Sequence, residues 1–475
     1  MVGLLAVLDC DFILQTFVSL TGHFLVDNFI IHVQTSLFEN KFLNILEYAI
    51  EKWKNMFARL VITCYNYNKI FALLLMQRNH MATNKQLKVG IVDADLIGRK
   101  KHRFPNLACE KISGYWKAQG AEVHLLLDYF FSEDFDHIYI SKVFTDTEVP
   151  PLPENDKRIH IGGTGFFFDR APNLPDEIEH HMPDYHLYDE WIDSEVACAE
   201  AEAVKSGKKF NKTTFMVQFK EYTDYSIGFI SRGCFRKCKF CVNQKYDRVF
   251  THSPLEEFYD PNRKKICLLD DNFFGYTKWK TALQELIGTG RSFKFKQGLD
   301  ERLLTDEKCK ILFSSKYDGD FTFAFDNIED YDIIHEKLKM IRKYSSVKCI
   351  KFYVLVGFKS TDEIDIKEAF ERIELLMRYQ CIPYIMRYQN KNYSPWKKSK
   401  YKGIYISLAR WCNQPSIFKK MSFRQFCKAN QALHKTTSSL CSSMKAMTLF
   451  EQDFPEIAAK FFDLRYDNYS LEIIE

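Results

Sequence analysis

The sequence predicts an α/β protein with an N-terminal sheet domain, a partial (β/α)6 barrel and a helical C-terminal region. Short apolar strand segments alternate with amphipathic helical segments from residue 87 to about residue 390, a pattern that favours parallel strands joined by helical crossovers. A charged, helix-prone stretch at 191–222 interrupts the alternation and divides it into two parts. Residues 395–475 show no clear strand pattern.

The first part, residues 85–190, is predicted to be a Rossmann-like domain. LKVGIVDAD is a short apolar run that ends in aspartates, as expected of a buried parallel strand. NLACEKISGYWKAQG has apolar residues near helical spacing and stops at a glycine. Three further strands are predicted in AEVHLLLDY, FDHIYISKVF and KRIHIGGTGF. Strand, helix and strand at this spacing indicate βαβ units and a parallel sheet.

The second part, residues 224–390, is predicted to form the barrel. Its strand candidates are YSIGFI, KKICLLDDNF, FKFKQGL, FTFAFDN, IKFYVLVGF and IPYIMRY. Helical segments lie between these candidates, and this series of strands and helices indicates a partial parallel β/α barrel. Residues 391–475 are expected to be mainly helical and to pack on the barrel.

Composition and the N-terminal segment restrict the function classes. A net charge of +4 is too small to indicate a nucleic-acid or membrane partner by itself. The 14 cysteines are spread along a long chain, which is typical of reduced thiols in a cytoplasmic protein. The charge-free stretch between Asp11 and Asp27 is too short for a membrane span. We therefore expect a cytoplasmic protein in which residues 1–80 are an extension and Met81 is the natural start.

Three cysteines lie close together in SRGCFRKCKFCVNQK, at Cys234, Cys238 and Cys241, with the spacing C-x3-C-x2-C. They follow the predicted strand YSIGFI, so they are expected at the C-terminal end of a barrel strand, where such barrels carry their chemistry. Nearby arginines and lysines favour thiolates, the form of cysteine that binds metals.

Three interpretations of the triplet stay open. The thiols are structural, or they form a zinc site with His252 or Cys267 as a further ligand, or they hold an iron–sulfur cluster. Three cysteines on a four-iron cubane leave one iron without a protein ligand, and that iron is able to bind a small molecule.

The cysteine spacing after the first strand of a β/α barrel resembles the radical S-adenosylmethionine superfamily. The resemblance covers about residues 224–390. It implies an enzyme that binds a [4Fe–4S] cluster through Cys234, Cys238 and Cys241 and cleaves S-adenosylmethionine reductively to a 5′-deoxyadenosyl radical. It further implies an electron donor such as flavodoxin or ferredoxin.

The resemblance also implies positions that bind S-adenosylmethionine at the ends of later strands. For Asp270 and Asp271, helix capping and loop solvation are the alternative interpretation. Thr361 and Glu363 are expected to do no more than start the helix after the fifth strand. The implied cofactor-binding positions are Phe240 and Gly357 beside the adenine, Asp270, Asp271 and Asn272 at the second strand, Gln297 and Arg302 at the third, and Asp326 at the fourth.

The order of elements in the first domain resembles the cobalamin-binding domain that precedes many radical enzymes of one branch of this superfamily. The turn at Gly162 and Gly163 fits that resemblance. The first loop departs from it, because Asp93 and Asp95 lack a histidine two residues further on and His102 is too distant. The sequence therefore leaves two possibilities for the first domain. It binds cobalamin, or it covers the barrel without this cofactor.

The sequence indicates neither the substrate nor a catalytic residue that acts on it. The substrate could be a small molecule or a macromolecule. RYQNKNYSPWKKSKYKGIYISLARW interleaves basic and aromatic residues, which suits base stacking and phosphate contacts. A solvated basic segment with packed aromatic residues is the alternative. A radical enzyme that modifies RNA by methylthio or methyl transfer, and a non-catalytic zinc or iron–sulfur RNA-binding protein, therefore remain alternative functions.

Overall fold

The computed structural model describes residues 86–99, 102–153, 155–345, 349–389, 394–434 and 439–471. The predicted extension at 1–80 and the predicted start at Met81 lie outside these residues. Within them the mixed α/β class is confirmed, because parallel strands alternate with helices along the chain. The predicted domain boundaries remain predictions.

Four parallel strands form the first sheet, in the order β2-β1-β3-β4. They are β1 Lys88–Asp93, β2 Glu122–Leu125, β3 His137–Ser141 and β4 Ile159–Gly162. The helices of this part are α1 Ala94–Gly98, α2 Leu107–Ala118, α3 Thr164–Phe167 and α4 Asp176–Glu179. Helix α2 begins where the Asn106 side chain accepts from the N–H groups of Ala108 and Cys109, so a local cap fixes its start.

Three helices lead from this sheet to the second part of the chain: α5 Asp189–Lys205, α6 Lys212–Met216 and α7 Lys220–Thr223. Tyr185, just before α5, connects the two parts. Its hydroxyl accepts from the N–H of Ile227 at 2.7 Å and donates to the carbonyl of Phe258 at 2.6 Å. Arg263 donates to the carbonyls of Tyr185 and Tyr222, so buried polar contacts fix the sheet domain against the strands that follow.

Six parallel strands follow in chain order, in two three-stranded sheets. The first contains β5 Tyr225–Gly228, β8 Lys265–Leu268 and β9 Ser292–Phe295; the second contains β10 Phe321–Ala324, β11 Ile350–Val356 and β12 Ile382–Arg387. Between β5 and β8, an antiparallel ribbon pairs β6 Ser231–Arg232 with β7 Phe250–Thr251. The helices between the later strands are α8 Trp279–Gly288, α9 Asp306–Ser314, α10 Tyr331–Tyr344 and α11 Glu363–Arg378.

Each barrel strand has one face toward the helices and an opposite face, which we call the inner face. In β11, Phe352 and Val354 are fully buried in the large apolar core, whereas the alternate residues Tyr353 and Leu355 are only partly buried. Because successive side chains of a strand point to opposite sides, Tyr353 and Leu355 lie on the inner face.

Glu301 lies where the two three-stranded sheets meet. A single isolated bridge, between Leu299 and Phe323, joins β9 to β10 there. The Glu301 carboxyl accepts from the N–H of Ala324 at 3.1 Å. It thus replaces the backbone carbonyl that would accept this hydrogen bond if β9 and β10 were regularly paired. Burial, and the nearby charge of Asp300, raise the pKa of Glu301 to about 8.

We expect Glu301→Gln to stabilise the protein relative to wild type as the pH rises. Between its ordinary value of 4.5 and its value of about 8, folded Glu301 holds a proton that the unfolded chain releases. The free energy of unfolding of the wild type therefore falls as the pH rises through this window. Glutamine does not titrate, so the variant should gain on the order of 5 kcal/mol relative to wild type across it.

Urea unfolding at the two ends of this pH window would measure the difference. Glu307→Gln is the matched control, since Glu307 is exposed and pairs with Lys280. An equal pH dependence of the Glu301→Gln variant and the wild type would contradict the assignment.

After β12 the described residues form helices. These helices are α12 Lys402–Cys412, α13 Pro415–Phe418, α14 Phe423–Ala432, α15 Ser442–Asp453 and α16 Pro455–Phe461. They pack on α11 through Phe370, whose ring stacks on Phe461 with a centroid distance of 5.8 Å. No helix in the described part of the chain is long and apolar enough to cross a membrane.

Candidate functional site

The cysteine loop, residues 233–249, lies beyond the C-terminal end of β5. The β6–β7 ribbon pairs Ser231 with Thr251, so the two ends of the loop are held together. Gly233 has φ of +91°, and a Cβ at this position would lie 2.3 Å from the carbonyl oxygen of Arg248. Among the described residues, the close neighbour of Gly233 is therefore the far end of its own loop.

The three thiols of this loop are free and half-buried. The N–H of Arg236 donates to Cys234 Sγ, and the N–H of Asn243 donates to Cys241 Sγ, each at 3.4 Å. Burial, together with the charge of Cys241, raises the pKa of Cys238 to about 11. Burial likewise raises the pKa of Cys241.

Neighbouring positive charge favours the thiolate of Cys238 through Arg302, but burial outweighs this effect. For the cations close to the cysteines in sequence, the distances are 3.4 Å from Arg232 Nε to Asp271 Oδ2, 2.8 Å from Arg236 Nε to Asp300 Oδ2, and 2.5 Å from Lys237 Nζ to Asp247 Oδ1. Each of these cations is compensated by a carboxylate, so burial dominates the pKa of the thiols Cys238 and Cys241.

The residues considered as further zinc ligands are engaged elsewhere. His252 lies 3.3 Å from Glu179 and stacks on His180. Cys267 is fully buried in an apolar cluster with Ile227. Within the described residues, no group of three or more histidine, cysteine or acidic side chains is placed to hold a single metal ion. A cubane differs from a single ion because each cysteine ligates a different iron, which keeps the thiolates further apart.

Asp270 holds the start of the ribbon. Its carboxylate accepts from the N–H of Ile230 at 3.2 Å, and from the N–H and hydroxyl of Ser231 at 2.7 and 2.6 Å. Burial raises its pKa to about 6. Both oxygens are occupied, so the geometry favours a structural role over the predicted contact with S-adenosylmethionine.

Asp271 holds both ends of the cysteine loop. One oxygen accepts from the N–H of Gly233 at 2.7 Å, and the other accepts from the side-chain amide of Asn243 at 2.8 Å. Gly233 directly precedes Cys234, and Asn243 follows Cys241 by two positions. A single carboxylate at the end of β8 therefore fixes the loop on both sides of its three thiols.

Asn272 brings a polar acceptor to the thiols. Its side chain is buried, and its Nδ2 lies 3.4 Å from Cys234 Sγ and 3.4 Å from Asp300 Oδ2. Its Oδ1 is buried without a hydrogen-bond partner. A buried amide oxygen without a donor carries a free-energy cost, and a ligand N–H group would remove that cost.

Asp300 and Arg302 connect the cysteine loop to the end of β9. Asp300 accepts from Arg236 Nε at 2.8 Å and from Arg302 Nε at 2.7 Å, and Arg302 also donates to Asp330 at 2.9 Å. Burial opposes ionisation of Asp300, but the two arginines lower its pKa overall. Gln297 is exposed. Asp300 thus has a more direct contact with the cysteine loop than Gln297, the cofactor-binding position that the resemblance implies.

Asp326 lies at the end of β10, within electrostatic range of Cys238 and Cys241. It accepts from the N–H of Leu355 at 3.2 Å, and burial raises its pKa to about 6. Asp326 also lines a small cavity with Arg372, whose guanidinium donates to three backbone carbonyls. Asp326 therefore stays a candidate for a contact with a bound cofactor.

Phe240 and Gly357 are placed by other aromatic residues. The Phe240 ring lies edge-on to Phe358, which in turn packs against Tyr388 beyond β12. Gly357 has φ of +70°, and a Cβ there would lie 2.7 Å from Trp396 Cβ. Among the described residues, the absence of a side chain at Gly357 is explained by Trp396.

The helix after β11 begins at Glu363, and its N-cap is Asp362, whose side chain accepts from the N–H groups of Ile364 and Asp365. The expectation that this segment starts a helix is confirmed. The cap is Asp362, and Thr361 contributes its carbonyl to the hydroxyl of Ser399.

The C-terminal edge of the first sheet is filled by its own loops. Asp93 caps α1 and accepts from the Tyr188 hydroxyl at 2.9 Å, and burial raises its pKa to about 7. Asp95 accepts from the N–H of Val143 at 2.6 Å and from the Thr147 hydroxyl at 2.5 Å. The two aspartates of the predicted first loop therefore have internal partners.

The two glycines that fit the cobalamin resemblance also meet protein atoms, with one exception, and so does His102. A Cβ at Gly163 would lie 2.2 Å from the carbonyl oxygen of Lys142, whereas Gly162 has open space beside it. His102 packs edge-on against Phe144. Among the described residues of this edge, these contacts do not form a cradle for a corrin.

The aromatic residues of the basic segment after β12 are largely packed inside the protein. Trp396 is buried and donates to the carbonyl of Tyr388 at 2.6 Å, and Tyr405 is fully buried. Tyr401 packs against Phe450. This matches the alternative of a solvated basic segment with packed aromatic residues, because these rings are not free to stack on bases.

Sequence analysis missed three contributors to the site. Arg236 was counted as general positive charge, although it pairs specifically with Asp300. Asn243 and Phe358 were not considered. A polar residue two positions after the last cysteine was the available signal for Asn243; nothing local identified Phe358.

Comparisons with known proteins add a likeness in fold. No protein-family model matches the chain, and no curated protein matches it in sequence. Eight solved chains match in structure. One is described as Streptococcus suis SuiB bound to S-adenosylmethionine, with 12% identity and a TM-score of 0.28 over 48% of this chain and 60% of that one.

A second solved structure is described as the cobalamin-dependent S-adenosylmethionine radical enzyme OxsB with aqua-cobalamin and S-adenosylmethionine bound. It is 13% identical, with a TM-score of 0.37 over 78% of this chain and 62% of that one. The chain thus spans about three fifths of the length of each of these proteins. Because both TM-scores and identities are low, the function proposed below rests on the residues of the site.

Proposed function

We propose that this chain is a radical S-adenosylmethionine enzyme whose cluster ligands are Cys234, Cys238 and Cys241. When bound, the [4Fe–4S] cluster supplies one electron to S-adenosylmethionine, which yields methionine and a 5′-deoxyadenosyl radical that acts on a substrate. The observation that carries this proposal is the cysteine loop itself, which presents three free thiols at the C-terminal end of a parallel strand.

The residues beside the thiols fit such a cofactor pair. Asn272 Oδ1 is a buried acceptor without a partner next to Cys234, and the amino group of the methionine moiety is a donor that would satisfy it. Asp326 is a second acceptor within electrostatic range of Cys238 and Cys241. In this proposal Asp270 and Asp271 position the cysteine loop and do not contact the cofactor.

Cobalamin is not part of the proposal, because the edge of the first sheet has internal partners for Asp93 and Asp95. RNA is not proposed as the substrate, because Trp396 and Tyr405 are buried. Adding cobalamin to the full chain should leave the absorbance spectrum of the cofactor unchanged.

Anaerobic purification followed by iron, sulfide and zinc analysis tests the proposal. We expect about four iron and four sulfide per chain after reconstitution, and formation of 5′-deoxyadenosine when dithionite and S-adenosylmethionine are added. Tightly bound zinc that iron cannot replace would overturn it, as would a loaded protein that leaves S-adenosylmethionine intact.

A further inference from the structure

The inner face of the later barrel strands presents apolar side chains to solvent. Tyr353 and Leu355 of β11 stand opposite Tyr384 and Met386 of β12 in the strand register. Tyr384 is 36% exposed and Met386 is 43% exposed, and both lie on β12, the edge strand of its sheet. Exposed apolar side chains that form one continuous face indicate a ligand surface.

Gly298 extends this face toward β9. A Cβ on Gly298 would lie 3.2 Å from the ring of Tyr353, so the glycine leaves space beside that ring. Lys296 directly follows β9, and the charge of the inner-face residue Lys294 acts on its ammonium, so Lys296 lies beside this face. Lys296, Tyr353, Leu355, Tyr384 and Met386 are together called the barrel wall.

Lys296 supplies an unpaired positive charge to the wall. Among the inner-face lysines in the described residues, Lys265 pairs with Asp318, Lys294 with Glu221 and Lys351 with Asp320. Lys296 has no carboxylate partner there, and its ammonium lies 4.0 Å from the ring centroid of Phe104.

Lys296 lies where the two parts of the chain meet. Its side chain is exposed over part of its surface, and burial of the remainder lowers its pKa; the charge of Glu221 opposes this shift and the charge of Lys294 adds to it. Phe104 belongs to the sheet domain, so residues of both parts of the chain surround the Lys296 ammonium. An apolar strand face with one convergent cation suits a small molecule.

The positions of these residues along the strands indicate the orientation of the ligand. Lys296 directly follows β9, whereas Asp300 lies four residues further toward the cysteine loop. On β11 and β12, Leu355 and Met386 lie nearer the strand ends than Tyr353 and Tyr384. Asp326, a carboxyl at the mouth, would repel an anion, so the anionic end belongs at Lys296 and the apolar body points toward the cysteine loop.

We propose that the barrel wall binds the substrate, a small molecule with one anionic group at Lys296 and an apolar body against the tyrosines, Leu355 and Met386. Calling this ligand the substrate rests on the proposed function, whereas the existence of the ligand site does not. An apolar body directed at the cysteine loop presents carbon–hydrogen bonds to the region where a radical would be generated.

Two fluorescent probes test the proposal on the full chain. The first is 8-anilinonaphthalene-1-sulfonate, an aromatic anion, and the second is N-phenyl-1-naphthylamine, a neutral aromatic compound of similar size. Lys296→Met should weaken binding of the anionic probe about tenfold and leave the neutral probe nearly unchanged. Met386→Ser should weaken both probes, because it removes apolar contact area.

Matched controls locate the bound probe. Phe130→Ser alters an apolar residue that is 90% exposed on the sheet domain, and Lys310→Met alters an exposed lysine on α9. Neither control should change either affinity. Equal binding of the anionic probe by the Lys296→Met variant and the wild type would overturn the proposal, and so would loss of binding in Phe130→Ser.

Iron content and 5′-deoxyadenosine formation, measured on the same samples, separate the two proposals. If binding of the anionic probe depends on Lys296 but the protein does not bind an iron–sulfur cluster, the proposed function is refuted and the ligand site is supported. Suppose instead that the protein binds its cluster and cleaves S-adenosylmethionine, but the Lys296→Met variant binds the anionic probe as the wild type does. This result would support the proposed function and refute the ligand site.

Discussion

Replacement of Cys238 by alanine is expected to abolish cluster loading and the cleavage of S-adenosylmethionine. Loss of a residue that only orients a metal ligand typically costs about 10- to 100-fold in metal affinity, and loss of the ligand itself should cost more. Iron content after anaerobic reconstitution and the yield of 5′-deoxyadenosine under dithionite measure the two effects. The same result is expected for Cys234→Ala and Cys241→Ala.

Cys198→Ser is the matched control for this series. Cys198 is an exposed, free thiol on α5, outside the cysteine loop. The control should load iron and form 5′-deoxyadenosine as the wild type does. Unfolding by urea should show that the Cys238→Ala variant is folded, since Cys238 is half-buried and outside the apolar clusters. A folded Cys238→Ala variant with wild-type iron content would refute the ligand assignment.

The helices and strands that are determined by residues close to them in the chain could be predicted from the sequence. Helix α2 has its cap at Asn106 and ends before Gly120, both adjacent to the helix in the chain. The six strands of the second part show apolar periodicity in short windows, and their order along the chain is their order in the sheets. The position of the cysteine loop followed from its place directly after a strand.

The contacts that organise the site depend on residues distant in sequence. Arg236 and Asp300 are 64 positions apart, and Gly233 and Asp271 are 38 apart. The ribbon that closes the cysteine loop consists of two strands of two residues each, too short to show a periodic pattern. Gly357 was assigned to a cofactor because a local motif cannot show that Trp396 packs beside it.

Asp271→Ala is expected to reduce cluster loading although Asp271 touches no thiol. Its carboxylate bonds Gly233 before the first cysteine and Asn243 after the last, so its removal releases both sides of the loop. The expected loss in iron affinity is about 10- to 100-fold, the range for residues that orient metal ligands. The free energy of unfolding should fall by about 1.5–3 kcal/mol, because a charge-assisted hydrogen bond to the Gly233 N–H is lost.

Asp247→Ala separates this positioning role from a general effect of negative charge near the thiols. Asp247 lies in the same loop, but its side chain is 86% exposed and pairs with Lys237. The control should keep wild-type iron loading, because an exposed ion pair contributes little. Asp271→Asn keeps an acceptor for the Gly233 N–H and should lie between alanine and wild type in iron affinity. If Asp271→Ala and Asp247→Ala load iron equally well, the carboxylate of Asp271 does not position the ligands, and the β6–β7 ribbon and the Arg236–Asp300 pair are sufficient to hold the loop.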